Sequence, residues 1–281
     1  MSEFFWTNSS TSSVIYLISS YAYLLVFHGS RDSRTQAAAS KLKQLSIAKF
    51  QSKNILTQHN YLSTTLPNLN SNNITISNLA ESPWIEIAAL ELSPISLRES
   101  IIDFARQARR RGFEQIKVIP LFLAPGVHVT EDLPEEVALA IKQLDFPMTI
   151  ELSRYLGKYS GMIPLLLDKF GELPAQKRIL IAHGSRKSSV TNYYQNLAGK
   201  LDAEVAYWSK EPKFTRQIEL QIASGMRKIA ILPYFLFPGK ITAAIAREVA
   251  QLRQEYPQVE LNLGQPLGAT EALAELIVRE G

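Results

Sequence analysis

Apolar residues along this chain gather in short runs, each closed by glycine, proline or polar residues. Tyr23 to Phe27, Trp84 to Leu90 and Val118 to Leu123 form one series. Arg178 to Ala182, Val205 to Trp208 and Ile231 to Phe237 form another. Runs of this length predict buried strands. Between them lie stretches with helical spacing, such as Thr35 to Leu45 and Val190 to Leu201. Strands alternating with helices predict βαβ units around a parallel sheet, and right-handed crossovers place helices on both faces. The expected fold class is therefore α/β, doubly wound.

The two series are copies of one unit. His28-Gly29-Ser30-Arg31 recurs as His183-Gly184-Ser185-Arg186, each string directly after an apolar run. Val118 to Gly126 matches Ile231 to Gly239, both ending in Pro-Gly. A third pair is Ile85 to Ala88 with Pro94, against Val205 to Trp208 with Pro212. Two domains are expected, at about 20–150 and 175–281, and the chain crosses between them near Gly157 to Ala175. The first half is longer by about forty residues, which fall near Ser46 to Asn78. Asn, Ser, Thr and Gln dominate that segment, a composition that predicts a loop or weak order rather than core. His59 lies there and reads as a surface histidine.

Composition narrows the chemistry. Hydrophobic residues make up 46% of the 281 positions, enough for a true core. The chain has no cysteine, so disulfides, thiolate zinc sites and iron–sulfur clusters are excluded. A metal would have to be held by His, Asp or Glu, and there are only four histidines. The net charge is +4, with Arg109, Arg110 and Arg111 as the densest basic cluster. No stripe of the kind nucleic-acid binding needs is present, while a mild positive bias suits a polyanionic small substrate. Val14 to Phe27 could imitate a secretory segment, but Met1 to Ser13 carries Glu3 and no Lys or Arg. The run is also too short for a membrane helix. A soluble, cytoplasmic chain is expected.

Ligands of open parallel sheets bind beyond the carboxyl ends of the strands. His28 sits at such an end, and the small residues after it leave backbone N–H groups free for an anion, with Arg31 as a forked donor. The string alone fits equally a histidine that caps its strand. His128 follows the Val118–Leu123 run and the Pro125-Gly126 turn, again at a strand end. Glu91 closes a third run, just before Pro94. Two imidazoles and a carboxylate converging on one cleft suit a borderline divalent metal, and the carboxylate can also accept a proton. Glu86 is the rival acid, but it falls mid-strand and reads as an edge-facing, solvated residue. Phe122, Leu123, Pro125 and Val127 either line the cleft for a flat apolar ligand or simply fill the strand core. Counting from the paired prolines, the second half has Ser209 where the first has Glu91, and Ile241 where it has His128. One complete site is expected, in the first half, with the second supplying a wall or lid.

Val26-Phe27-His28-Gly29-Ser30-Arg31, Leu90-Glu91-Leu92-Ser93-Pro94 and Pro120 to His128 with Asp132 are together similar to the sirohydrochlorin chelatases. These are class II tetrapyrrole chelatases, which need no ATP. The resemblance covers nearly the whole chain, because the second half repeats the pattern in degenerate form. It implies two flavodoxin-like domains around a cleft. It implies insertion of a divalent metal into sirohydrochlorin, Fe2+ favoured and Co2+ as the other candidate, to give sirohaem or a cobalamin precursor. His28 and His128 take the places of the catalytic, metal-holding histidines, and Glu91 that of the acidic ligand. Ser30, Arg31, Phe122, Leu123, Gly126 and Val127 become macrocycle contacts, with Arg186 or Lys240 reaching the substrate carboxylates from across the cleft. The metal is then a substrate, and no tightly bound cofactor is implied. The expected partners are the tetrapyrrole and the metal, with neither nucleic acid nor membrane, and a monomer suffices to form the cleft. A metal or tetrapyrrole carrier on the same fold is the alternative. The chain departs from the family in its long insert and in lacking the His-rich tail and cysteine motif of some relatives.

Overall fold

The computed structural model describes residues 4–9, 12–17, 21–65 and 83–281. A hairpin of β1 (Phe4–Ser9) and β2 (Ser12–Leu17) pairs antiparallel, with Ser9 opposite Ser12. The strands β3 (Tyr21–Phe27), β4 (Ile85–Ala89), β5 (Gln115–Pro120) and β6 (Thr149–Leu152) make the first sheet, in the order β4-β3-β5-β6. The strands β7 (Lys177–Ala182), β8 (Glu204–Tyr207), β9 (Lys228–Pro233) and β10 (Glu260–Leu263) make the second, in the order β8-β7-β9-β10. All pairings within both sheets are parallel. Both sheets thus share one strand permutation, that of a flavodoxin-like, doubly wound α/β unit.

Registers match as well. Phe27 faces Ala89 as Ala182 faces Tyr207, and Val26 faces Pro120 as Ile181 faces Pro233. The repeat inferred from short strings is therefore a repeat of backbone positions.

The central strands β3, β5, β7 and β9 are buried on both faces, which is why they read as continuous apolar runs rather than alternating ones. Their period of two still sorts the side chains. Leu25, Phe27, Ile119 and Leu121 enter one core together with Leu180, Ala182, Leu232 and Tyr234 of the second sheet. The intervening Leu24, Val26, Ile116 and Val118 enter a separate core under α2 (Leu97–Arg110) and α3 (Leu133–Gln143). Ile179, Ile181, Ile229 and Ile231 do the same under α6 (Phe214–Ala223) and α7 (Lys240–Glu255). The central layer between the sheets contains α1 (Ser33–Thr65), α4 (Met162–Gly171), α5 (Ser188–Lys200) and α8 (Glu271–Glu280). No described helix is long and apolar enough to cross a membrane.

The helices that follow the fourth strand of each sheet are exchanged. The segment 157–175, expected to carry the chain across, holds α4, which packs on the second sheet: Arg178 of β7 lies 5.6 Å over the Phe170 ring. In return α8 packs on α1 and the first sheet, where Lys117 Nζ donates to the Gly281 carbonyl at 3.1 Å.

The segment near Ser46 to Asn78 differs from expectation over its first part. It does not begin as a loop, because α1 runs on to Thr65. Ala39, Leu42, Ser46 and Phe50 are buried at helical spacing, one stripe that continues past the point where composition turns polar. Phe50 packs against Tyr23 in a tilted ring pair with centroids 4.4 Å apart, and Lys49 reaches Glu271 of α8 at 3.2 Å. Packing on α8 outweighs the weak intrinsic propensity of this stretch. His59 lies within the α1 range, but its side chain, like residues 66–78 of the insert, is outside the described residues.

Candidate metal centre

Strand pairing continues past the ends of β3 and β4. Leu90 N–H donates to the Phe27 carbonyl at 2.9 Å, and Glu91 N–H to the His28 carbonyl at 3.0 Å. Those two bonds fix Glu91 beside His28. Gly29 then turns the chain with φ +98°, and any Cβ there would collide with the Glu91 carbonyl oxygen. Only glycine satisfies both demands. After it, Ser30 Oγ accepts from Asp32 N–H at 3.0 Å, and Asp32 Oδ1 accepts from Arg34 N–H at 3.0 Å to cap α1. The Arg34 guanidinium, which donates to Asp32 Oδ2 at 2.7 Å, and then that backbone bond lower the Asp32 carboxyl to a pKa of about 2. Glu86, by contrast, faces Lys43 at 2.8 Å on edge strand β4 and is not part of the cluster.

His128 arrives by a different device. The buried stripe Leu133, Val137 and Ala140 of α3 matches Ile245, Val249 and Leu252 of α7. The first half, however, has one more residue between its Pro-Gly turn and that stripe. The extra residue is absorbed as a wide π-helical turn, His128–Asp132, in which Leu133 N–H bonds the His128 carbonyl. Such single-residue expansions recur at functional sites.

The three side chains meet. Glu91 Oε2 lies 3.9 Å from His28 Nε2, and Glu91 Oε1 lies 3.9 Å from His128 Nδ1. The imidazole rings meet edge to face with centroids 4.7 Å apart. One ligand atom from each of His28, Glu91 and His128 lies within 4.8 Å of the others, the spread a single cation can draw together. His28 and Glu91 are half exposed and His128 about one-third, so the cluster is open to an incoming ion.

The histidines stand at the edge of a cavity of about 610 Å³ between the halves. Phe122, Leu123, Gly126 and Val127 line it from the first half, and His183, Tyr234 and Ile241 from the second. A smaller cavity of about 330 Å³ is lined by Glu91, Asp132, Glu135 and Glu136. Ser30 and Arg31 do not line the large cavity: the Ser30 hydroxyl shapes its own turn, and Arg31 is exposed. Sequence reasoning gave no role to Asp132, whose Oδ2 stands 2.7 Å from His128 Nδ1. Its spacing of four from His128 was the available signal.

The second half keeps the scaffold without the cluster. Ser209 N–H donates to the His183 carbonyl at 2.9 Å, the same bond that Glu91 makes to His28. Ser209 Oγ folds back onto that carbonyl at 2.7 Å. Ile241 presents hydrocarbon to the shared cavity.

Comparison with known proteins agrees with this architecture. The chain is 22% identical over 209 residues to the sirohydrochlorin ferrochelatase of Priestia megaterium, covering 69% of this chain and 76% of the relative. Among solved structures, SirB from Bacillus subtilis with Fe3+ superimposes with a TM-score of 0.66 at 21% identity, over 92% of this chain and 93% of that one. The sirohydrochlorin chelatase SirB from Bacillus subtilis subspecies spizizenii in complex with cobalt gives 0.62 at 20% identity, over 92% and 93%. The family model described as CbiX matches twice, over residues 67–173 and 177–280. The first match includes Glu91 and His128 but begins after the long α1, so His28 is placed in the cluster by strand pairing and by its repeat partner, His183. With both halves matched, the chain belongs to the CbiX family.

Proposed function

We propose that this protein inserts a divalent metal, Fe2+ in the first instance, into sirohydrochlorin, using His28, Glu91 and His128 and no nucleotide. The observation that carries the reading is the cluster itself: three ligand atoms within 4.8 Å of one another, at the edge of a largely apolar cavity of about 610 Å³ built by both halves. The names of the relatives, a sirohydrochlorin ferrochelatase and chelatase structures holding iron or cobalt, support the same substrate class. Imidazole and carboxylate accept Fe2+ and Co2+ alike, so the ligand set does not by itself select between them.

The chemistry sets two tasks. The ion must shed water, and the macrocycle must lose two pyrrole protons. His28 and His128 exchange with the water shell of the ion, and their partly exposed position lets it arrive hydrated. Neutral imidazole also accepts a proton near neutral pH. Glu91, within 3.9 Å of a nitrogen of each ring, completes the coordination or takes a pyrrole proton. Phe122, Leu123 and Val127 give a flat apolar ring its wall. Arg31, exposed three residues past His28, and Lys240, close enough across the cleft to act on Asp32, are the cations available for the substrate carboxylates.

An anaerobic spectroscopic assay with sirohydrochlorin and Fe2+ or Co2+ tests this. The wild-type chain should metallate many equivalents of tetrapyrrole, and His128→Ala should lower kcat by about a hundredfold or more with the fold retained. Metallation stopping at one equivalent would identify a carrier instead. Near-wild-type turnover by His128→Ala would displace the site.

A further inference from the structure

His128 Nδ1 has two acidic neighbours at unequal distances. Asp132 Oδ2 is 2.7 Å away, while Glu91 Oε1 is 3.9 Å away. The first is a hydrogen bond and the second is not. A carboxylate can only accept, so the short contact requires the proton on Nδ1. A neutral ring protonated at Nδ1 presents its lone pair at Nε2.

We infer that Asp132 is a positioning residue: it holds His128 as the Nδ1–H tautomer and turns the ring so that Nε2 meets the incoming divalent ion. The inference rests on the proposed metal-handling role of His128 and adds a fourth side chain to that site.

Two further observations bear on it. The wide turn that contains one more residue than its counterpart runs from His128 to Asp132, so the device that aims the imidazole also delivers its partner. In the second half the corresponding segment, Ile241-Thr242-Ala243-Ala244, has neither an imidazole nor a carboxylate. The two groups are present together in the half with the cluster and missing together in the half without it. Asp132 stands at the start of α3 but makes no side-chain capping bond to it. A carboxylate that orients a metal-binding histidine typically contributes ten- to a hundredfold in metal affinity.

The direct test is the tautomer. Long-range nitrogen–proton correlation spectra of the full chain with 15N-labelled histidine resolve four rings, and His128 is assigned by its loss in His128→Ala. In the metal-free wild type at mildly alkaline pH, His128 should be protonated at Nδ1 and bare at Nε2. A ring protonated at Nε2 overturns the inference. Titration with Co2+ alone, followed through its visible absorption bands, gives the second readout. Asp132→Ala should weaken cobalt binding by about tenfold or more, whereas Asp132→Asn, which retains an accepting oxygen, should lose less. Unchanged cobalt affinity in Asp132→Ala also overturns it. In turnover, kcat should fall in Asp132→Ala while KM for sirohydrochlorin stays within about twofold, because the residue does not line the macrocycle cavity. Tautomer and cobalt affinity need no tetrapyrrole, so they decide the role of Asp132 separately from the assay of the proposed function.

Discussion

His28 and His183 occupy the same place in their repeats, each one residue past a strand end and each with Nδ1 near the carbonyl of the following glycine, at 3.3 and 3.1 Å. Their neighbours differ. His28 has Glu91 at 3.9 Å and the His128 ring at 4.7 Å, while His183 has the Ser209 hydroxyl at 3.5 Å and hydrocarbon from Ile241 across the cavity. A lone imidazole beside a hydroxyl strips a hydrated ion poorly. His28→Ala should therefore lower kcat by about a hundredfold or more, the loss expected for a positioned acid–base group. His183→Ala should chiefly raise KM, the signature of lost uniform binding. Steady-state kinetics on the pair decide it, and equal kcat losses would move the chemistry into the second half. At this scale the sequence was informative because each residue of the trio ends an apolar run, and strand ends of one small sheet converge. Asp132 was legible only as a motif residue four positions after His128, and its role was not, since nothing in a string of letters shows that the helix start is one residue too long for an α-turn. The Ser30 hydroxyl accepts from Asp32 N–H of the same turn, a local bond that its anion-binding string did not announce.

At the scale of elements, α1 is the informative case. Its polar second half looks like a loop by composition, because Asn, Ser, Thr, Gln and Lys together outnumber apolar residues from Lys49 to Thr65. The core contacts come from a narrow stripe that window averages dilute, with Phe50 buried between Tyr23 and the central core. The stripe exists because α8 crosses from the other half to meet it, and a long-range partner leaves no local signal. Phe50→Ala should cost about 3–5 kcal/mol, the range for truncating a buried phenylalanine. Lys49→Ala removes only exposed ion pairs with Glu271 and Glu275 and should cost no more than about 1 kcal/mol. Urea midpoints of the two variants separate these readings: a small effect at Phe50 would mean that the extension of α1 is not packed. The β1–β2 hairpin had a visible signal that went unused, the polar cluster Asn8 to Ser13 between two apolar runs. The sheets were legible because strands buried on both faces leave uninterrupted apolar runs, and the repeat supplied each one twice.

At the scale of the whole molecule, the halves are two copies of one unit but not two independent bodies. They share the core between the sheets, and each lends the other its last helix. Hydrogen bonds also cross. Tyr234 of the second half donates to the Leu123 carbonyl at 3.0 Å, in the loop that leads to His128. Tyr193 donates to the Gly157 carbonyl at 2.8 Å and meets the Tyr234 hydroxyl at 3.0 Å. Burial holds the Tyr234 hydroxyl far above its ordinary pKa, so it stays a neutral donor throughout the working range. At the mouth of the cleft, Lys187 reaches Glu131 at 2.7 Å. Unfolding one half alone would strip α8 from the first sheet or α4 from the second and expose the apolar side chains of the shared core, so partial unfolding is disfavoured for either half. The chain should then unfold in one transition despite its length. Tryptophan supplies the probes, because Trp84 stacks on Phe104 in the first half and Trp208 on Phe214 in the second. Two single-tryptophan chains, one keeping Trp84 and one keeping Trp208, each with the other of these and Trp6 replaced by phenylalanine, would be followed by fluorescence against urea. Their midpoints, each corrected by far-ultraviolet circular dichroism of the same variant, should coincide. Fluorescence midpoints that differ by more than about 0.5 M after that correction would show that the halves unfold separately, and that the exchanged helices add contact without cooperativity.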